Sequence, residues 1–207
     1  MLPDFGAGAD RTVLPERPAA VASLSPIGNV PDTNVLTLAL GLPLRDPAGL
    51  DDLIGQIYNP NSTNFHRFLT PPELAERFGP TPADYLAVRQ FAESNGLAVA
   101  ATYSNRMVLD VTGTARDISR AFQIKLYRYH HPVEPRDFYA PDTDPSVPVG
   151  LKINSVEGLT DFNRPKPAGR KVSASVARPL SFSGTGPNHE YMGYDFRNAY
   201  VPGTALT

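Results

Sequence analysis

Apolar and polar positions fall into short, well-bounded runs between residues 32 and 162. Val35 to Leu42 is nearly continuous in apolar and β-compatible residues, the pattern of a well-buried strand. Asp46-Pro47 follows, an N-cap with proline at the first helical position. Behind it Leu50, Leu53, Ile54 and Ile57 recur at helical spacing and predict one apolar face. Thr70-Pro71-Pro72-Glu73 is a capping box, with Leu74 and Phe78 one turn apart. Thr81-Pro82-Ala83-Asp84 opens the next helix in the same way. Its face is Tyr85, Val88, Phe91 and Ala92, and Asn95-Gly96 closes it. Leu97 to Tyr103 and Met107 to Val111 predict strands joined as a hairpin around Ser104-Asn105-Arg106. Thr114 to Asp117 is a third capping box, ahead of a short helix that buries Ile118, Ala121 and Phe122. Ile124 to Tyr129 alternates as a strand. The order strand, helices, strand, strand, helix, strand predicts an α+β domain. It is the ferredoxin-like, split βαβ pattern: an antiparallel sheet with helices packed on one face.

The flanks read differently. Residues 1–31 carry Pro3, Pro15, Pro18, Pro26 and Pro31 without a periodic apolar pattern, and are expected to form an extended N-terminal arm. Residues 163–190 hold Arg164, Lys166, Arg170, Lys171 and Arg178 against the single acid Glu190, a net charge of +4. With Pro165, Pro167, Pro179 and Pro187 among Ser, Ala and Gly, this stretch reads as a basic linker. Residues 32–162 hold sixteen acids and eleven bases, net −5. Residues 191–207, with Tyr194, Phe196 and Tyr200, read as the opening of a further domain that is cut short here.

Composition removes several function classes. The 207-residue chain has a net charge of −2, which gives no electrostatic case for a nucleic-acid partner. The strand Arg106 to Val111 also lacks the stacking aromatics of an RNA-binding sheet. The chain has no cysteine, so thiol nucleophiles, disulfides and cysteine zinc sites are excluded. No run is long and apolar enough to cross a bilayer, so no membrane partner is expected. The N-terminus lacks a basic-then-apolar signal pattern. His130 and His131 are adjacent on a strand, point to opposite faces and are not expected to share a metal; they read as a solvated strand end. Asn61-Ser62-Thr63 fits a glycosylation sequon that only a eukaryotic secretory host would use.

The segment Phe65-His66-Arg67-Phe68-Leu69-Thr70-Pro71-Pro72-Glu73 through Phe78-Gly79-Pro80-Thr81 resembles the H-x-F-L-T-P-x-E … F-G-P-T run of pro-kumamolisin activation domains. These are the pro-regions of sedolisins, the serine-carboxyl peptidases. Asn95-Gly96-Leu97, Gly113-Thr114 through Ala121-Phe122, and Val147-Pro148 followed by Val156-Glu157-Gly158-Leu159 fit the same family in order and spacing. Tyr194-Asp195-Phe196-Arg197-Asn198-Ala199-Tyr200 resembles the start of the mature enzyme.

The resemblance implies a secreted zymogen whose pro-domain binds its own catalytic domain in cis, helps it fold and blocks its active site. Acid then triggers self-cleavage in the linker. Arg170, Lys171, Arg178, Leu180, Phe182 and His189 are the expected inhibitory and cleavage residues, with Leu180 and Phe182 in specificity pockets. His189 reads as an exposed linker side chain, with pH sensing as the alternative. His66 is expected to pack or hydrogen-bond locally. No catalytic residue and no cofactor is expected in this chain; a calcium site is implied only for the catalytic domain. Ser183-Gly184-Thr185-Gly186 has glycine where the family nucleophile stands, and Glu157 and Asp161, although four apart, are separated by Gly158. The alternative reading is a stand-alone ferredoxin-like binding or peptidase-inhibitor module.

Overall fold

The computed structural model describes residues 10–165, 187, 191–193, 195 and 196. The chain forms two compact units, Met1–Arg164 and Pro165–Thr207. The first unit begins with β1 (Arg11–Val13), a 3₁₀ turn (Ala19–Ser23), β2 (Gly28–Asn29) and β3 (Val35–Gly41). The helices α1 (Pro47–Tyr58), α2 (Pro71–Arg77) and α3 (Pro82–Ser94) follow, then β4 (Ala98–Thr102), β5 (Val108–Thr114) and α4 (Ala115–Phe122). It closes with β6 (Leu126–His130), β7 (Asp137–Pro141), β8 (Ser146–Pro148) and β9 (Ser155–Glu157).

Each helix starts at a local side-chain cap, which in α1, α3 and α4 accepts one free backbone N–H of the first turn. Asp46 Oδ1 accepts the Gly49 N–H at 2.9 Å ahead of α1. Thr81 Oγ1 accepts the Asp84 N–H at 3.0 Å while the Asp84 carboxylate accepts the Thr81 hydroxyl at 2.6 Å. Thr114 Oγ1 accepts the Asp117 N–H at 3.2 Å. Before α2, Glu73 Oε2 accepts both the Thr70 N–H, at 2.8 Å, and the Thr70 hydroxyl, at 2.7 Å. These bonds, the backbone one first, hold the Glu73 carboxyl below its ordinary range. A carboxylate lowered in the folded state supports the fold above its unfolded pKa, and that support is lost as pH falls through the folded value. Amide protection at Thr70 should therefore persist through the ordinary carboxylate range and collapse only below it. Loss at higher pH, read by NMR, would contradict this cap.

The central sheet has the order β4-β5-β3-β9 and is antiparallel throughout. Taking β3, β4, β5 and β9 as its first to fourth strands gives the split βαβ topology expected from the sequence. The identity of the fourth strand differs. The run 124–129 does supply a strand, β6 at Leu126–His130, but it belongs to a separate sheet of order β2-β6-β7. The place beside β3 goes to β9, with Leu40 opposite Val156 and Ala39 opposite Glu157. Gly158 ends β9 at φ +95°, where a Cβ would lie 2.4 Å from the Thr37 carbonyl oxygen. Only glycine combines that conformation with that approach.

Helices α3 and α4 cover one face of the central sheet. Val88, Phe91 and Ala92 from α3, and Ile118, Ala121 and Phe122 from α4, bury against Leu38, Leu40, Leu109, Val111 and Val156. Removing this apolar surface from water, at roughly 25 cal/mol per Å², is the main stabilising term. Helices α1 and α2 make a separate small cluster in which Leu53, Ile57 and Phe78 are buried with Leu44, Leu50, Leu69 and Leu74 around them.

The N-terminal expectation needs correction from residue 10 onward. Residues 10–31 are extended in large part, but they are packed. β1 pairs with β8, Arg11 opposite Pro148, and Leu14, Val21 and Val30 are buried. Arg11 donates to the Ala121 carbonyl at 2.6 Å and to Ser146 Oγ at 2.9 Å. Three widely spaced apolar residues carry no period, yet Leu14 and Val30 join the main core and Val21 packs with Tyr129, Phe138 and Ala140, residues far along the chain.

Candidate interaction face

Within the first unit, the second face of the central sheet is open among the described residues. Side chains alternate across a strand, so the positions between the core residues must emerge on that face. Strand register sets them in rows. Ala101, Asp110, Ala39 and Glu157 form one row, Ala98, Thr112 and Thr37 a second, and Val108, Gly41 and Ser155 a third. Thr37, Ala98 and Glu157 are exposed, and Val35 at the β3 end is 68% exposed. The strand read as well buried is therefore buried on one face only. Seven of the ten residues in these rows are Gly, Ala, Ser or Thr, which makes the face flat. Asp110 and Glu157 are the acids in these rows. Asp110 Oδ2 also accepts the Tyr103 hydroxyl at 2.7 Å. That bond, joined by the aspartate charge, pushes the phenol up from its ordinary value.

The outer edge of β9 is closed differently. Glu16 Oε1 accepts the Val156 N–H at 3.2 Å, so the N-terminal segment supplies the partner that a further strand would have given. Burial raises the Glu16 carboxyl; the bond from Val156 opposes this, and Glu157 and Asp144 add to it.

The family-motif residues lie at the junction of α1, α2 and α3. Thr70 and Glu73 are the cap of α2 and Pro71 is its first residue. Phe78 is buried in the small cluster beside α1, and Leu69 packs at its border. Gly79 is needed for close approach, since a Cβ there would lie 2.5 Å from the Ala75 carbonyl oxygen. Pro80 is fully buried and its carbonyl accepts from Arg106 Nε at 2.7 Å. His66 adopts φ 56° and stacks on Phe65, with ring centroids 3.8 Å apart; Phe68 remains 64% exposed. The motif therefore builds a helix junction, with the His66 ring exposed at its border.

Glu157 and Asp161 do not share a helix. Glu157 is on β9, and Asp161 Oδ1 accepts the Tyr139 N–H at 2.8 Å in the loop beyond. Arg170, Lys171, Arg178, Leu180, Phe182, His189 and the Ser183 to Gly186 run lie outside the described residues. In the second unit, Asp195 N–H donates to the Met192 carbonyl at 2.9 Å, and Tyr191 and Phe196 have ring centroids 6.0 Å apart.

Missed from the sequence were the open-face rows. The small residues Thr37, Ala39 and Gly41 alternating with Leu38 and Leu40 were the available signal.

Residues 23–162 match the family model described as "Pro-kumamolisin, activation domain". The chain is 32% identical over 130 residues to xanthomonalisin of Xanthomonas sp. (strain T-22), covering 62% of this chain and 16% of that protein. It is 29% identical over 154 residues to sedolisin of Pseudomonas sp. (strain 101), covering 73% of this chain and 26% of that protein. The chain thus spans about a quarter or less of the length of these relatives.

Proposed function

The chain belongs to the pro-kumamolisin activation-domain family, and on that premise we propose that it is the pro-region of a secreted sedolisin-type serine-carboxyl peptidase, acting as folding aid and inhibitor of its own catalytic domain. The observation that carries this reading is the open sheet face. A four-stranded sheet with helices on one side and flat rows of small residues on the other offers a large surface of ready-made shape. Such a surface suits a rigid, preorganised partner, because little side-chain entropy is lost on docking.

The same reading gives the linker its part. The basic stretch 163–190 would follow the domain into the catalytic cleft, and its cleavage between Arg170 and Glu190 would complete maturation. Acid would favour release. Carboxylates that bind as anions lose their contacts when protonated, and Asp110 and Glu157 stand on the proposed face.

Titrating the full chain into its mature peptidase tests this. Inhibition is expected at about micromolar concentration or below near neutral pH, weakening as the carboxylates protonate. Full peptidase activity at micromolar excess of the chain, or inhibition that tightens in acid, would count against the reading.

A further inference from the structure

The end of β6 and the loop after β9 meet around one imidazole. His130 is the last residue of β6 and His131 the first beyond it, and their rings turn to different surroundings. His130 stays in solvent, with Nδ1 2.7 Å from Asp137 Oδ1. His131 turns inward. Its ring stacks on Phe162, centroids 4.7 Å apart and planes at 23°, and meets Phe138 edge-on at 5.7 Å. The solvated-strand-end reading therefore holds for His130 alone.

His131 Nδ1 faces two backbone donors, the N–H of Glu134 at 2.9 Å and that of Val133 at 3.2 Å. A ring nitrogen accepts only through a free lone pair. This hydrogen-bond network therefore assigns His131 as the neutral ring with its proton on Nε2. The turn built on it is closed by His131 N–H to the Arg136 carbonyl, 2.9 Å, and Arg136 N–H to the Glu134 carbonyl, 2.8 Å. It positions the Arg136 guanidinium, which donates to the carbonyls of Asp161, at 3.0 Å, and Phe162, at 2.5 Å. Arg136 Nε donates to Glu134 Oε2 at 2.5 Å. The segment that leads out of the domain is thus held by a ring stack and a guanidinium, and both depend on the same turn.

We propose that this assembly is a proton-operated clasp on the C-terminal exit of the domain. Protonating His131 at Nδ1 replaces an acceptor by a donor opposite two N–H groups. The 131–136 turn opens, Arg136 withdraws, and residues 160–164 leave β7. The charged groups facing His131 are Glu134 and Arg136 on its own turn, and Asp161 and Arg164 on the exit segment. His130 and Asp137 lie on the paired strand ends. Glu134 and Asp161 would favour an imidazolium, but each already meets a guanidinium, Glu134 with Arg136 and Asp161 with Arg164 at 2.5 Å. Between neutrality and about pH 5, ordinary carboxylates keep their charge while imidazoles change theirs. Only the consequence, release of the linker root in acid, rests on the proposed function; the clasp is a property of the domain itself.

The test is hydrogen exchange of the full chain between pH 7.5 and 5, corrected for intrinsic rates, with ¹⁵N NMR of the imidazoles. In the wild type, protection at 131–136 and 158–164 should fall at least tenfold towards pH 5 while β3 and β5 are unchanged. His131→Asn keeps an acceptor oxygen near the Nδ1 position with no proton to gain, and should retain protection at both pH values. His130→Asn should behave as wild type. Flat wild-type protection, an unaltered pH response in His131→Asn, or a proton on Nδ1 at neutral pH overturns the clasp. If the asparagine variant does not hold the turn at either pH, the wild-type tautomer decides. Inhibition of the peptidase without this response removes the clasp alone, and the response without inhibition removes the proposed function alone.

Discussion

Ala39→Arg is expected to weaken inhibition of the mature peptidase by about 100-fold while the domain stays folded. Ala39 sits in the middle of the open face, between Asp110 on β5 and Glu157 on β9. An arginine there has an acid on either side, and opposite charges across strands support a sheet. The fold should therefore tolerate the change, and an unaltered urea midpoint confirms that it does. On the outer side the long side chain stands proud of a face lined mainly by small residues, and a partner shaped to that face cannot close on it. Inhibition constants for wild type and variant decide the matter. Equal constants, with the fold intact, place the docking surface elsewhere.

The largest effect on stability is expected from Phe122→Ala. Phe122 has no exposed surface and meets Phe91 edge-on, with ring centroids 6.0 Å apart. It stands where α4, α3 and the central sheet come together, so neighbours on three sides are already fixed by their own packing and cannot collapse into the space. Deleting the ring loses its transfer free energy and leaves a cavity, a cost of about 3–5 kcal/mol. Domains of this size are stable by roughly 5–15 kcal/mol, so the variant should sit close to its unfolding transition. Urea denaturation of the full chain measures this directly, and a loss under about 1 kcal/mol would show that the site relaxes around the change.

Much of the helical framework was legible because helix signals are short-range. The caps at Asp46, Thr70, Thr81 and Thr114 join residues three apart, and the faces carrying Val88, Phe91 and Phe122 repeat every three or four. The family motif was legible for the same reason: Thr70, Glu73, Phe78 and Gly79 form a cap, a buried ring and a close backbone approach within ten positions. The hairpin of β4 and β5 needed only a short turn.

What the tertiary structure alone decided were the contacts between residues far apart in the chain. Ser155-Val156-Glu157 is too short to carry a period, and it becomes the fourth strand because β3 offers an unpaired edge more than a hundred residues upstream. The alternating run at β6 named a strand but could not name its sheet, since alternation fixes which side is apolar and not which edge is free. Leu14 and Val30 bury against the main core, and Val21 against Tyr129, Phe138 and Ala140, all assembled downstream. His131 differs from His130 only through Phe162 and the turn at Glu134. Capping and periodicity are written into neighbouring residues, whereas strand partners and ring stacks depend on which surfaces the rest of the chain leaves open.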